Sequence, residues 1–260
     1  MPGSIGRVLS KAAVVADLAV LLCHAEAAAQ TDEIQVYNGE INAPGQFSIT
    51  WHNNYTPIGR KEADMPAGIV PQGALNGVPE YALGVTDWLE LGAYLPLYSV
   101  TRQGRFLVNG GKIRFLLAEP HVAGRKFFYA VNFEFSYNAR HWEATRFSME
   151  MRPIAGVRFG PVDFIVNPII DNDFTGIGSL DFAPAERLDY NFSERWAVAL
   201  EHYADCGEFR DLSGFNRQQQ TLFAVVDYSG EPVDVEAGIG HGFTAASDAL
   251  VLKLMLTKSF

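Results

Sequence analysis

From Phe47 onward, large apolar and polar residues alternate one by one in stretch after stretch, the period of an extended strand and not of a helix. Phe47, Ile49, Trp51, Asn53 and Tyr55 fall on one face of a segment whose other face carries Gln46, Ser48, Thr50, His52 and Asn54. Phe127, Tyr129, Val131, Phe133, Phe135 and Tyr137 alternate with Phe128, Ala130, Asn132, Glu134, Ser136 and Asn138. Phe147, Met149, Met151, Pro153, Ala155, Val157 and Phe159 oppose Ser148, Glu150, Arg152, Ile154, Gly156 and Arg158, and Leu89, Leu91, Ala93, Leu95 and Leu97 oppose Trp88, Glu90, Gly92, Tyr94 and Pro96. The pattern returns over 162–171 and 233–240, with weaker candidates over 80–85, 112–118, 180–190, 196–203 and 219–228. With the last segment these predict about twelve strands, an even number as a closed antiparallel barrel needs. Segment 180–190 fits worst, because Glu186 falls on the apolar parity; a β-bulge there is one repair.

The connections carry their own pattern. Tight turns at 86–87, 160–161, 192–195 and 229–232 alternate with longer polar links at 56–78, 138–146, 171–178 and 205–217. One end of the barrel is therefore expected to carry short turns and the other long loops, the periplasmic and extracellular asymmetry of outer-membrane barrels.

Beyond the first thirty residues no run approaches the roughly 18 to 20 apolar residues of a membrane helix, so a spanning chain of this kind has to be a closed barrel. The same alternation also suits a secreted β-sandwich with its apolar face turned inward. Strand lengths near the roughly 9 to 11 residues that cross a bilayer favour the barrel, as do aromatics near several strand ends. The chain's end points the same way: Leu250, Leu252, Leu254 and Leu256 alternate with Val251, Lys253, Met255 and Thr257, and Phe260 is last. This segment resembles the insertion signal of Gram-negative outer-membrane proteins, an amphipathic strand closing on an aromatic, which implies the barrel-insertion machinery as a partner. Lys258 departs from that pattern, although a lysine near the interface can snorkel.

Composition narrows the function classes. A net charge of -10 argues against nucleic-acid binding, which needs a basic footprint. Residues 1–29 read as a signal peptide and 30–260 as the barrel domain: Arg7 and Lys11 form the basic start, 12–25 the apolar stretch, and Ala25, Ala27 and Ala29 the cleavage choices. Asp17 interrupts the apolar stretch, and a short buried helix is the other reading. Cys23 follows Leu22 where lipidation wants a small residue. If the leader is removed, Cys206 stands alone, which excludes an internal disulfide framework.

An outer face built of Phe, Leu and Val leaves the charged residues for the lumen, because they could not face lipid cheaply. Among them Arg114, Glu134, Glu150, Arg152 and Arg158 are the candidate lining of a polar conduit. Mutual pairing that fills and stiffens the interior is the alternative, and both stay open at this point. The long link 56–78, with Pro57, Pro66 and Pro71, suits either a cap or a plain surface loop. No catalytic, cofactor or metal residues are expected: none of His52, His121, His141, His202 or His241 has a serine two residues on. Nor is there a Gly-x-Ser-x-Gly elbow, zinc spacing, phosphate loop or dinucleotide fingerprint. Asp171, Asp173, His202 and Asp205 near loop ends leave a rim hydrolase as a minor reading.

Residues 81–92, Tyr-Ala-Leu-Gly-Val-Thr-Asp-Trp-Leu-Glu-Leu-Gly, resemble the strand, Thr-Asp turn and strand of the MetA-pathway phenol-degradation and related transporter-like outer-membrane families, with a looser echo over 190–198. The resemblance implies uptake of small molecules, aromatic ones included, and transfers no binding residue. The expected protein is thus an all-β, closed antiparallel transmembrane barrel of the cell outer membrane. Lipid surrounds it, and it is a channel or transporter for a small solute and not an enzyme. A sealed structural or adhesive barrel is the alternative.

Overall fold

The computed structural model describes residues 32–260. The leader expected over 1–29 lies outside the described residues. Fourteen strands form one sheet. They are β1 (Phe47–Ile58), β2 (Leu75–Gly84), β3 (Leu89–Val100), β4 (Phe106–Ala118), β5 (Phe127–Asn138), β6 (Phe147–Phe159) and β7 (Val162–Asn167), then β8 (Ile170–Asn172), β9 (Leu180–Phe182), β10 (Ala185–Asn191), β11 (Trp196–Asp205), β12 (Gln219–Tyr228), β13 (Asp234–Gly242) and β14 (Leu250–Ser259). Strands β7 and β8 are two halves of one stave broken at Pro168, and β9 and β10 two halves of another broken at Pro184, so the wall has 12 staves. Every neighbouring pair is antiparallel. The sheet closes on itself because β1 pairs with β14 and β5 pairs with β6. Closure leaves no sheet edge, which satisfies the backbone without water.

Phe260 completes the seam. Its N–H donates to the Phe47 carbonyl at 2.8 Å, and the two rings lie 6.2 Å apart. Lys258 faces outward beside them and reaches Glu231 in the β12–β13 turn at 2.7 Å, so the departure from the terminal pattern sits at the polar end of the barrel.

The alternation resolves as lipid outside and charge inside. Phe127 is 67% exposed and its neighbour Phe128 2%, while Glu134, Arg114 and Arg152 are buried. A sandwich would bury the first face and wet the second. Most short turns and both ends of the strand array lie at one rim and most longer loops at the other; the exception is the 119–126 link at the first rim, which is longer than the 101–105 loop at the second.

Three sequence expectations need correction. Glu186 needs no bulge: its pairing is continuous with Val166 on one side and His202 on the other, so it faces outward. Leu97 belongs to the lumen, because the register shifts between Tyr94 and Leu97 and turns its side chain inward to complete burial. On the facing strand Gly110, with φ +143°, accommodates the irregularity; a Cβ there would stand 2.0 Å from the Tyr137 carbonyl oxygen. Finally, the link expected over 56–78 is shorter, since β1 runs to Ile58 and β2 starts at Leu75.

Prolines thin the wall at one level. Ala155↔Val166 and Met151↔Ile170 bracket Pro153 opposite Pro168, and Ala185↔Asn167 and Ile170↔Phe182 bracket Pro168 opposite Pro184. None of the three can donate a ladder hydrogen bond.

Candidate functional site

The barrel is not hollow. Residues 32–44 precede β1 at the short-turn rim and run up inside the lumen, where Asp32, Glu33, Ile34, Val36 and Tyr37 are buried. Gly84 makes the entry possible, because a Cβ on it would stand 2.2 Å from the Asn42 carbonyl oxygen. Nearby, the Gly45 N–H donates to the Gly84 carbonyl at 2.8 Å, and the Asn42 N–H donates to Glu90 Oε2 at 2.7 Å.

Higher in the lumen the segment is held chiefly by side chains of the wall. Asn167 Oδ1 accepts the Tyr37 N–H at 2.7 Å while Asn167 Nδ2 donates to the Tyr37 carbonyl at 3.0 Å. One amide thus mimics a strand partner for Tyr37. The Tyr37 ring lies 4.4 Å from the Arg152 guanidinium and 5.5 Å from that of Arg114, and its hydroxyl meets the Tyr94 hydroxyl and donates to Glu134 Oε1 at 3.3 Å. Arg152 Nη1 donates to the Gln35 carbonyl at 3.0 Å, Lys112 Nζ to Asp32 at 2.9 Å, Asn54 Nδ2 to the Asp32 carbonyl at 2.9 Å, and Lys253 Nζ to the Ile34 carbonyl at 3.3 Å.

Of the residues expected to line a conduit, the fold brings Arg114, Glu134, Glu150 and Arg152 into one network around this segment. Arg152 grips Glu150 through two nitrogens, at 2.7 and 3.1 Å, and Arg114 bridges Glu80 and Glu90. Lys112 approaches Glu134 at 3.5 Å. Arg158 stands apart at the short-turn rim, where it donates to the Arg125 carbonyl at 3.0 Å and to Glu40 at 3.2 Å. Within the segment, neither carboxylate oxygen of Glu33 has a hydrogen-bond donor, although Arg152 approaches at 3.6 Å.

A second network, on the β10–β14 side, was not singled out as a site in the sequence. Arg187 contacts Asp189 at 2.7 Å, Glu236 at 3.0 Å, and also Glu201 and Asp227. Lys253 bridges Glu201 and Glu236, and the Tyr203 hydroxyl donates to Glu201 at 2.8 Å. The signal available was the shared inward parity of Arg187, Asp189, Glu201, Asp227, Glu236 and Lys253 on neighbouring staves. Between this network and the inner segment a cavity of ≈390 Å³ remains, lined in part by Gln35, Val36, Arg187, Asp227 and Glu236.

At the long-loop rim, Ile69 from the 59–74 loop and Trp142 from the 139–146 loop pack on Val78, Tyr94 and Leu97 in an apolar cluster. The first loop therefore folds over the lumen as a cap. Glu143 in the second loop has its carboxyl pushed up by burial, against the lowering effect of the Ser148 hydroxyl. At the rim, Asp173 is held below the usual carboxylate range: slight burial works against this and is outweighed by the donors Thr175 and Ser179.

Of the residues of the minor hydrolase reading, Asp171, Asp173 and Asp205 gather around Asp181, and His202 stands apart from them. Asp173 is occupied by Thr175 and Ser179, and Asp171 lies on the lumen network beside Glu150. His202 sits on the outer wall, with Glu186 at 2.9 Å on Nδ1 and Gln220 at 2.8 Å on Nε2. Mutual hydrogen bonding there reduces the cost of polar groups on an apolar face. Among the described residues no group of His, Cys, Asp and Glu has the arrangement of a metal site.

No protein-family model matches the sequence, and neither does any curated protein. Solved structures do resemble the fold. An outer membrane channel from Pseudomonas putida F1 superposes with a TM-score of 0.54 at 9% identity, over 89% of this chain and 100% of that one. The NanC porin superposes with a TM-score of 0.53 at 7% identity, over 82% of this chain and 98% of that one. At these identities the likeness shows the fold alone and does not confirm the specific phenol-degradation family that the 81–92 hairpin resembles. What the geometry and these neighbours share is an architecture: a closed, lipid-facing, antiparallel β-barrel of the outer-membrane kind.

Proposed function

We propose that this protein is an outer-membrane channel for small solutes, and that residues 32–44 form the constriction of its conduit. The observation that carries the reading is how the segment is held. Wall side chains such as Asn167, Arg152, Lys112 and Lys253 grip its backbone carbonyls and polar groups, and hydrogen bonds of this kind can be exchanged for water at modest net cost. The segment's apolar side chains pack on the wall as well, Ile34 with Phe223, Val225 and Val251, and Val36 in the cluster of Leu116, Phe128 and Ile154, so the hold is part polar and part apolar. The ≈390 Å³ cavity beside the segment supplies room on one side of it. On this reading residues 1–29 are a removable leader, β14 with Phe260 is the handle for the insertion machinery, and the chain performs no catalysis.

The test is single-channel conductance in planar bilayers for the intact mature chain, for a chain lacking residues 32–41, and for Arg152→Ala, which removes contacts to Gln35, Glu33 and Tyr37. The truncated barrel is expected to conduct several-fold more than the intact one, and Arg152→Ala to fall between them. A folded truncated barrel that passes no current overturns the channel.

The second reading, a sealed structural barrel, draws on the density of ion pairing: the side chains of Lys253 and Glu201 are both 0% exposed and bonded to each other. It predicts silence from all three proteins.

A further inference from the structure

We propose that the cleft between the 59–74 and 101–105 loops at the long-loop rim is a binding site for a phosphate group. The cleft has a volume of ≈770 Å³ and draws four basic side chains together, Lys61, Arg102, Arg105 and His141, over an apolar floor of Ile69 and Leu107. No carboxylate lines it. This differs from the lumen, where Lys112, Arg114, Arg152, Arg187 and Lys253 each hold at least one acid partner. No ion pair engages Lys61, Arg102 or Arg105 among the described residues. Like charges brought together without acids raise the local positive potential, and an arriving oxyanion relieves it.

The cleft is built as well as charged. Gly73, at φ +75°, lets the stem of Arg102 lie against the backbone of the first loop; a Cβ there would stand 2.9 Å from Arg102 Cγ. Gln72, with its amide turned to satisfy both ends, accepts from Arg102 Nη1 at 3.0 Å and donates to the Gly59 carbonyl at 3.2 Å. His141 is oriented by Asn109, whose Oδ1 lies 3.1 Å from Nε2. Arginine presents its donors in a planar fork that matches phosphate oxygens in pairs, so Arg102 and Arg105 are the primary ligands and Lys61 a supporting charge.

Its height on the barrel fits the same ligand. Arg105 is followed directly by Phe106, which stacks on Tyr98 at 5.6 Å on the outer wall. The cleft therefore lies just beyond the aromatic band, where membrane phosphates sit. Beneath it, Ile69 joins the apolar cluster with Trp142, Tyr94 and Leu97, which separates the cleft from the acidic interior. The site does not depend on the barrel conducting.

The phosphate is either a lipid headgroup or part of a free solute, and two arms distinguish them. Isothermal titration of the detergent-solubilised full chain with inorganic pyrophosphate probes the free anion. Native mass spectrometry with short-chain phosphatidic acid probes the headgroup. Saturable binding in one arm or both is expected, weakened at least tenfold in Arg102→Gln/Arg105→Gln. Heat-modifiable gel mobility reports whether the variant barrel is folded, and Lys61→Glu, outside the β-wall, gives a second test if the double variant does not fold. Binding of neither probe, or binding unchanged in a folded double variant and in Lys61→Glu, overturns the site. Loss of binding in only one arm names the source.

Discussion

Lys253 shows what one residue does in this interior. Its ammonium is fully buried, touches Glu201 and Glu236, and donates to the Ile34 carbonyl of the threaded segment. Removing one partner of a buried ionic group leaves the others unneutralised in a poor solvent. Lys253→Met is therefore expected to destabilise the folded barrel by about 3–5 kcal/mol. The midpoint of urea unfolding, followed by heat-modifiable gel mobility, measures it; an unchanged midpoint means the pair contributes nothing net. Parity alone places Lys253 inside, between Leu252 and Leu254. Glu236 lies on the preceding stave with the same parity, but Glu201 and the Ile34 carbonyl, 52 and 219 residues away, could not be read as its partners. Glu186 teaches the converse. Its parity placed it among apolar residues, and a bulge looked like one repair, yet the wall keeps its register and satisfies the carboxylate with His202.

Among elements, the threaded segment is the one that periodicity could not show. Residues 32–44 are short, mixed and without a strand signature, and they pair with side chains and not with a ladder. Their path depends on Gly84, at the end of β2, giving way to the Asn42 carbonyl. Gly84→Val is expected to push the segment out of its entry path while leaving the twelve-stave wall intact. Limited proteolysis of folded protein would then cleave within 32–44 at least several-fold faster than in the unaltered chain; equal rates would mean that Gly84 does not guide the segment. The strands themselves were legible because each stave repeats the same two-residue period for most of its length. The breaks at Pro168 and Pro184 split two staves that the pattern presents as continuous or weak, because proline deletes the donor without changing which face its neighbours occupy.

For the molecule as a whole, charge is distributed unevenly between the lumen and one cleft at the rim. Asp189, Glu201, Asp227 and Glu236 surround Arg187 and Lys253 beside the cavity, an excess of acid, whereas Lys61, Arg102, Arg105 and His141 meet at the long-loop rim without acid. If the lumen conducts, its field favours cations. Reversal potentials in a KCl gradient, read on the chain lacking residues 32–41, are expected to show K⁺ preferred over Cl⁻. Asp227→Asn/Glu236→Gln should reduce that preference, and anion selectivity in the truncated barrel would contradict the charge argument. A formal charge of -10 was visible in the composition, but the placing of an acid excess in the lumen and of an acid-free basic cleft at the long-loop rim was not, since loops reach their neighbours by paths no period describes.

The amino-acid order alone determined the strand period, the closed even-numbered wall, its greasy outside and its ionised inside. These follow from a constraint that every stave obeys separately: its backbone must bond within the sheet and its charges must avoid lipid. Only the tertiary structure decided which charges pair, that residues 32–44 occupy the lumen, that Arg158 leaves the group it was expected to join, and that Glu186 stays on the outer wall. Those outcomes depend on distances between staves remote in sequence, and closure of the barrel sets those distances all at once.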